Sequence, residues 1–188
     1  MQQNGASCMA VKGKECVSIA SDLRFGQSLL TLGTNFSKIH RVNSRVVVAL
    51  PGLATDTQQL MQLLKYHTNI FKLTHHREIT AKECAHMISS LLYEKRFGPY
   101  FVEPIVCGFD AEGEPFICSM DVIGCINFAK DFVVGGTAEH SLFGMAENLV
   151  VDGLNAEEIF ECTSQCMLNG VDRDAFSGWG IEVIILYF

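Results

Sequence analysis

The sequence predicts an α+β fold in which antiparallel sheets are layered with pairs of helices. The hydrophobic pattern changes in blocks, from strand-like to helical and back. The block order is strands, two helices, strands, two helices and a final strand, which argues against alternating parallel units. Composition agrees: the 188 residues are 48% hydrophobic and 19% charged, as in a domain with a substantial core. The length suits one compact domain over residues 1–188 and is short for two. Two sheets face to face, each covered by a helix pair, would bury both faces of each sheet.

The elements follow in order. Ala10-Val11-Lys12 and Val17-Ser18-Ile19-Ala20 are apolar stretches on either side of the polar turn Gly13-Lys14-Glu15. Arg45-Val46-Val47-Val48-Ala49-Leu50 is a β-branched run ending at Pro51-Gly52, as a buried strand would be. Helical spacing then appears at Leu60, Leu63, Leu64, His67, Ile70 and Phe71, and again at Cys84, Met87, Ile88, Leu91 and Leu92. Thr80 with Glu83 opens the second helix as a capping box, and Gly98-Pro99 closes it.

Strand character returns at Phe101 to Phe109, Pro115 to Met120 and Asp131 to Val134, with Asp110-Ala111-Glu112-Gly113 as a hairpin turn. Two further helices follow. Thr137 is a candidate cap for the first. Asn155 with Glu158 is a variant capping box for the second, whose Ile159, Cys162, Cys166 and Met167 share one face. Ile181 to Leu186 forms the last strand, and the C-terminal extension beyond it is short.

Charge and motifs exclude several classes. The net charge is -7, without the basic footprint of a nucleic-acid binder. Met1 to Ala6 lacks the ordered basic and apolar segments of a signal peptide. No apolar run reaches bilayer-spanning length. An intracellular chain with eight reduced cysteines is therefore expected. Those cysteines form no paired CxxC, and a zinc site needs about four convergent ligands. His75-His76 sits in a polar loop. Asp110, Glu112 and Glu114 alternate without the rest of a calcium loop. No metal and no cofactor are expected.

Ser21-Asp22-Leu23-Arg24-Phe25-Gly26, Lys38-Ile39, Leu50-Pro51-Gly52-Leu53-Ala54-Thr55-Asp56 and Val171-Asp172-Arg173-Asp174-Ala175-Phe176-Ser177-Gly178 form one ordered set of segments. Read together, they resemble a proteasome beta subunit in order and spacing. Within that family, Tyr93-Glu94-Lys95-Arg96-Phe97-Gly98-Pro99-Tyr100 is similar to the beta type-3 subunit. So are Pro115 to Asp121, Ile123-Gly124-Cys125 and Asp131 to Val134. The resemblance implies a four-layer αββα sandwich of the N-terminal-nucleophile hydrolase type. It also implies a 20S core in which this subunit meets ring neighbours, the opposite beta ring and alpha subunits. Neither nucleic acid nor membrane is an implied partner. The implied setting is ubiquitin-dependent degradation in cytoplasm and nucleus.

The same resemblance locates the chemistry. Active members use an N-terminal threonine whose freed amine accepts the proton. Asp22 and Lys38 stand sixteen residues apart, as the site Asp and Lys do in the family. Sixteen residues before Asp22 stands Ala6, at the nucleophile position, with Gly5 where cleavage would occur. A methyl group has no atom that can attack a carbonyl. Lys38, Asp22, the oxyanion glycine Gly52, and the amine-supporting Asp174 and Ser177 remain as matches. Gly135 stands where a supporting serine is expected.

A non-catalytic structural subunit is therefore expected, its Asp22 and Lys38 kept as a buried pair. The alternative is a peptidase using a shifted Ser7 or Cys8. Ser7 would face away from Lys38, and Cys8 would lie about 6–7 Å along the strand. Asp121 and Cys118 are expected to help line the substrate pocket of a neighbouring subunit with trypsin-like specificity.

Overall fold

The structure is a computed structural model that describes residues 4–188. Met1 to Gln3, part of the segment read for a signal peptide, lie outside the described residues.

The first sheet has four strands in the order β10-β1-β2-β11: Phe132–Gly136, Ser7–Lys12, Cys16–Asp22 and Ile181–Tyr187. All its pairings are antiparallel. The second has five, in the order β5-β6-β7-β8-β9: Ile39–Arg41, Val46–Ala49, Ile105–Phe109, Pro115–Met120 and Ile126–Phe128. A hairpin of β3 (Phe25–Gln27) and β4 (Leu30–Gly33) stands apart from both.

Three apolar layers make this a four-layer sandwich. Alternation along β1 sends Met9 and Val11 to one face and Cys8 and Ala10 to the other. Met9 and Val11 pack with Leu142, Ile159, Cys166 and Met167 of α3 (Glu139–Leu149) and α4 (Ala156–Val171). Cys8 and Ala10 meet Val47, Ile105, Cys107 and Ile117 of the second sheet. The far face of that sheet, through Val46, Val48, Val106 and Cys118, packs on Leu60, Leu64, Cys84 and Ile88. These last belong to α1 (Ala54–His75) and α2 (Ala81–Glu94). The predicted α+β αββα architecture is therefore the observed one.

Helix starts follow the capping chemistry read from the sequence. Thr80 and Glu83 form both bonds of a capping box, as do Asn155 and Glu158. The predicted face of α4 is wholly buried. On α1 only part of the predicted stripe is covered: Leu60 and Leu64 are buried, yet Ile70 is exposed. At 22 residues the helix runs about 33 Å, well past the strands beneath it.

Three local expectations are corrected. The strand predicted from Phe101 begins only at Ile105, because Phe101 to Glu103 instead bond the turn after β6. There Leu53 donates to the Phe101 carbonyl and Glu103 donates to that of Pro51. Thr137 is not the cap of α3, since Ala138 holds that position with no side-chain bond. β3, β4 and β5 fall in the strand-like first fifty residues but received no bounds, and β9 was not anticipated, since such short segments without a continuous apolar run give too little alternation to place.

Candidate functional site

The centre of the site is a buried ion pair. Lys38 enters from the loop before β5, and its Nζ lies 2.6 Å from Asp22 Oδ1 at the end of β2. Nζ also donates to the carbonyls of Asp22 at 3.0 Å and Arg24 at 2.9 Å. An ammonium has three protons, and these three acceptors account for all of them. Asp22 is equally committed. Its Oδ1 accepts from the Ser7 N–H at 2.9 Å, and its Oδ2 from the N–H groups of Arg24 at 3.2 Å and Gly178 at 3.1 Å. A buried pair with every proton and lone pair engaged is the arrangement in which desolvation is best offset.

Ala6 stands one residue ahead of β1 and is 3% exposed. Its carbonyl accepts from the Thr137 N–H at 2.7 Å. The residues before it are built into the fold. Gly5 has φ +71°, and a Cβ there would lie 1.8 Å from the Phe176 carbonyl oxygen. Asn4 bonds three ways: its Nδ2 donates to the Gly26 carbonyl, its own carbonyl accepts from Gly26, and its Oδ1 accepts from Ala54. Ala54 opens α1, so Asn4 satisfies a free amide of that helix end.

Ser7 points the other way, as strand alternation requires. Its hydroxyl donates to Ser177 Oγ at 2.9 Å and accepts from the Ala138 N–H at 3.2 Å. Ser177 in turn donates to Asp174 Oδ2, which the Thr137 hydroxyl also approaches. Cys8 is wholly buried between the sheets. Burial pushes its thiol far above the ordinary range, and the nearby Lys38 lowers it by less. Neither side chain is poised as a nucleophile: one is fully bonded and the other is dry and protonated.

A cleft of about 260 Å³ opens beside Ala6, lined by Gly52, Glu103, Gly136, Thr137, Glu139 and His140. Gly52 has φ +145°, and its ideal Cβ would lie 2.1 Å from the Phe101 carbonyl oxygen, so only glycine fits that turn. Gly135 differs: a Cβ there meets Ile105 Cδ1 at 3.5 Å, ordinary contact that leaves space for a serine. Glu103 also lines a second cavity with Ser119, Asp121, Cys125, Gly135 and Glu139. Burial first, then the Glu139 charge, pushes the Glu103 carboxyl up.

A raised carboxyl means that its charged form is disfavoured in the folded chain, so the cost is present at neutral pH and disappears once the group is protonated. Glu103→Gln is therefore expected to unfold at higher denaturant than the parent chain at pH 7. The difference should vanish below the usual carboxylate range. Equal midpoints at pH 7 would rule this out.

The model of the family described as "Proteasome subunit" matches residues 2–186. The chain belongs to the proteasome subunit family. It is 47% identical over 186 residues to "Probable proteasome subunit beta type-3" of Schizosaccharomyces pombe, covering 99% of this chain and 91% of that one. "Proteasome subunit beta type-3-A" of Arabidopsis thaliana is 45% identical over 185 residues, covering 98% and 91%. "Proteasome subunit beta type-3" of Saccharomyces cerevisiae is 47% identical over 184 residues, covering 97% and 89%.

Set against the proteasome beta pattern, the structure brings Ala6, Asp22, Lys38, Asp174 and Ser177 together within one hydrogen-bonded region. Gly52 faces it across the cleft. Thr137 was missed as a member, having been read as a cap. A hydroxyl following two glycines in this proteasome subunit was the available signal. Cys118 is a correction. It lies in β8 on the face toward α1 and α2 and is fully buried, so it lines no pocket. Its neighbours Ser119 and Asp121 take the opposite face. The exposed thiol beside Asp121 is Cys125, at the end of the turn that the Asp121 carboxylate organises through the Ile123 and Cys125 amides.

No helix among the described residues is long and apolar enough to cross a membrane.

Proposed function

We propose that this chain is a non-catalytic beta type-3 subunit of the 20S proteasome core. In this role it walls the proteolytic chamber and holds neighbouring active subunits in register. Its partners are the adjacent beta subunits, the opposite beta ring and the alpha subunits. Its work belongs to ubiquitin-dependent degradation in the cytoplasm and nucleus.

One observation carries the reading: the position that requires a nucleophile is Ala6, while Lys38 has already committed its three protons to Asp22 and Arg24. The bonds made by Asn4 support a chain that keeps this residue, since removing it would open the N-terminus of α1.

The test uses the assembled particle. It is treated with a peptide epoxyketone, and the mass of this chain is then measured. We expect no adduct and a chain that retains Asn4 to Ala6. An adduct, or an N-terminus beginning at Ser7 or Cys8, overturns the reading.

A second role is favoured by the place of Asp121. It is exposed and shares a cavity with two other carboxylates, Glu103 and Glu139. Such a surface favours basic side chains by charge complementarity. Asp121→Asn should slow cleavage after basic residues in the assembled particle and leave other cleavages alone. Unchanged trypsin-like activity rejects it.

A further inference from the structure

The turn that carries Asp121 takes its form from its own bonds and its tilt from another element. It joins β8 to β9. Asp121 Oδ1 accepts from the Ile123 N–H at 3.0 Å and the Cys125 N–H at 2.7 Å. The Asp121 N–H donates to the Cys125 carbonyl at 3.2 Å, and the Gly124 N–H to the Asp121 carbonyl at 3.1 Å. All four bonds lie within residues 121–125, so they do not fix how the turn leans on the sheet. β9 adds little hold. It is three residues long, lies at the sheet edge and meets β8 beside the turn at Met120 with Ile126.

The lean is set by α2. Ser89 Oγ donates to the Gly124 carbonyl at 2.5 Å. Among the described residues Ser89 is the only side chain outside the turn that bonds to residues 121–125. Gly124 permits the approach. It has φ +88°, and a Cβ there would lie 2.5 Å from the Ser89 carbonyl oxygen, which is helix backbone and cannot rotate aside. One residue triplet earlier on α2, His86 meets Phe128 of β9, with ring centroids 6.2 Å apart. The helix is itself anchored, with Cys84, Ala85, Ile88 and Leu92 buried in the core.

What the lean controls is one oxygen. Asp121 Oδ1 is occupied by two amides, while Oδ2 makes no hydrogen bond among the described residues. Oδ2 is therefore the atom left for a cation, in a cavity of about 300 Å³ that Glu103 and Glu139 also line. Attraction between charges falls with separation, and a hydrogen bond to a carboxylate also needs alignment. We infer that Ser89 is a positioning residue for the Asp121 carboxylate, and that α2 thereby sets how well this cavity takes the lysine and arginine side chains of a peptide substrate. This rests on the reading of Asp121 as a contributor to cleavage after basic residues.

The test uses assembled particles carrying variants of this chain and fluorogenic peptides ending in arginine. Ser89→Ala should raise KM for these peptides about two- to fivefold, the range of an exposed charge pair. Its kcat should be unchanged, because binding to ground state and transition state falls equally. Ser89→Thr keeps the hydroxyl and should restore the parent KM. Asp121→Asn should raise KM as well. Adding Ser89→Ala to it should do nothing further, since the carboxylate being aimed is gone. Peptides ending in leucine are the control.

A parent-like KM in Ser89→Ala, beside a raised KM in Asp121→Asn, overturns the positioning role. So does a Ser89→Thr that behaves like Ser89→Ala, or a double variant worse than Asp121→Asn alone. An equal loss for leucine peptides overturns it too, because Ser89 would then be general support for the fold. A parent-like KM in Asp121→Asn would instead remove the reading of Asp121, and this inference with it.

Discussion

Lys38→Ala is expected to lower stability by about 3–5 kcal/mol, the usual cost of removing one member of a buried ion pair. The magnitude follows from what is left behind. Asp22 would stay wholly buried, with the Ser7, Arg24 and Gly178 amides as its remaining donors and no counter-charge. The Arg24 carbonyl would lose the Lys38 proton it accepts. Denaturant unfolding of the full chain gives the number directly.

Asp22→Ala should be at least as damaging, because it strands three amides as well as the ammonium. The double variant should recover part of the loss, since the uncompensated charge is gone, but not the amide bonds. A double-mutant cycle therefore separates the pair from the acceptor role of Asp22. A Lys38→Ala loss below about 1 kcal/mol, the scale of a surface pair, would defeat the structural account of both residues.

The sequence made two of the layers legible through apolar patterning. The consecutively apolar Val46–Val47–Val48 run and the helical stripe Ile159, Cys162, Cys166 and Met167 each occur where the structure buries them. The two capping boxes were readable because their chemistry is local. The site residues Ala6, Asp22 and Lys38 were found through spacing in a family resemblance, not through their own chemistry. Nothing local says that a lysine sixteen residues from an aspartate will meet it.

What was missed depended on three-dimensional context. Thr137 precedes a helix and so imitates a cap, while its hydroxyl is drawn to Asp174 by a segment more than thirty residues away. Cys118 was assigned to the wrong side of β8 because the strand's phase was not fixed from sequence. One residue of phase exchanges the helix-facing and cavity-facing sides. The fully buried Arg24, with carbonyls and a hydroxyl as acceptors, also gave no signal: arginine in a sequence reads as surface.

Gly5→Ala is the other substitution expected to be severe, even though it adds a single carbon. At φ +71° a residue with a Cβ loses about 1–2 kcal/mol relative to glycine. Steric overlap adds to this. The new carbon would sit 1.8 Å from the Phe176 carbonyl oxygen, which is backbone and cannot rotate aside. Forcing a group into a packed interior costs about 1–3 kcal/mol. The expected total is therefore about 2–5 kcal/mol, and the damage should spread in a defined direction. Phe176 accepts from Arg24, and Ser177 and Gly178 follow it directly with bonds to Asp174 and Asp22. Moving Phe176 consequently loosens the Trp179 loop and the Asp22 cluster together. Hydrogen exchange should rise at the Gly178 and Ser7 amides while the capped start of α4, with its own local bonds, stays protected. Full stability in Gly5→Ala, with unchanged exchange at Ser7, would mean that the segment before β1 is not the wedge this geometry makes it.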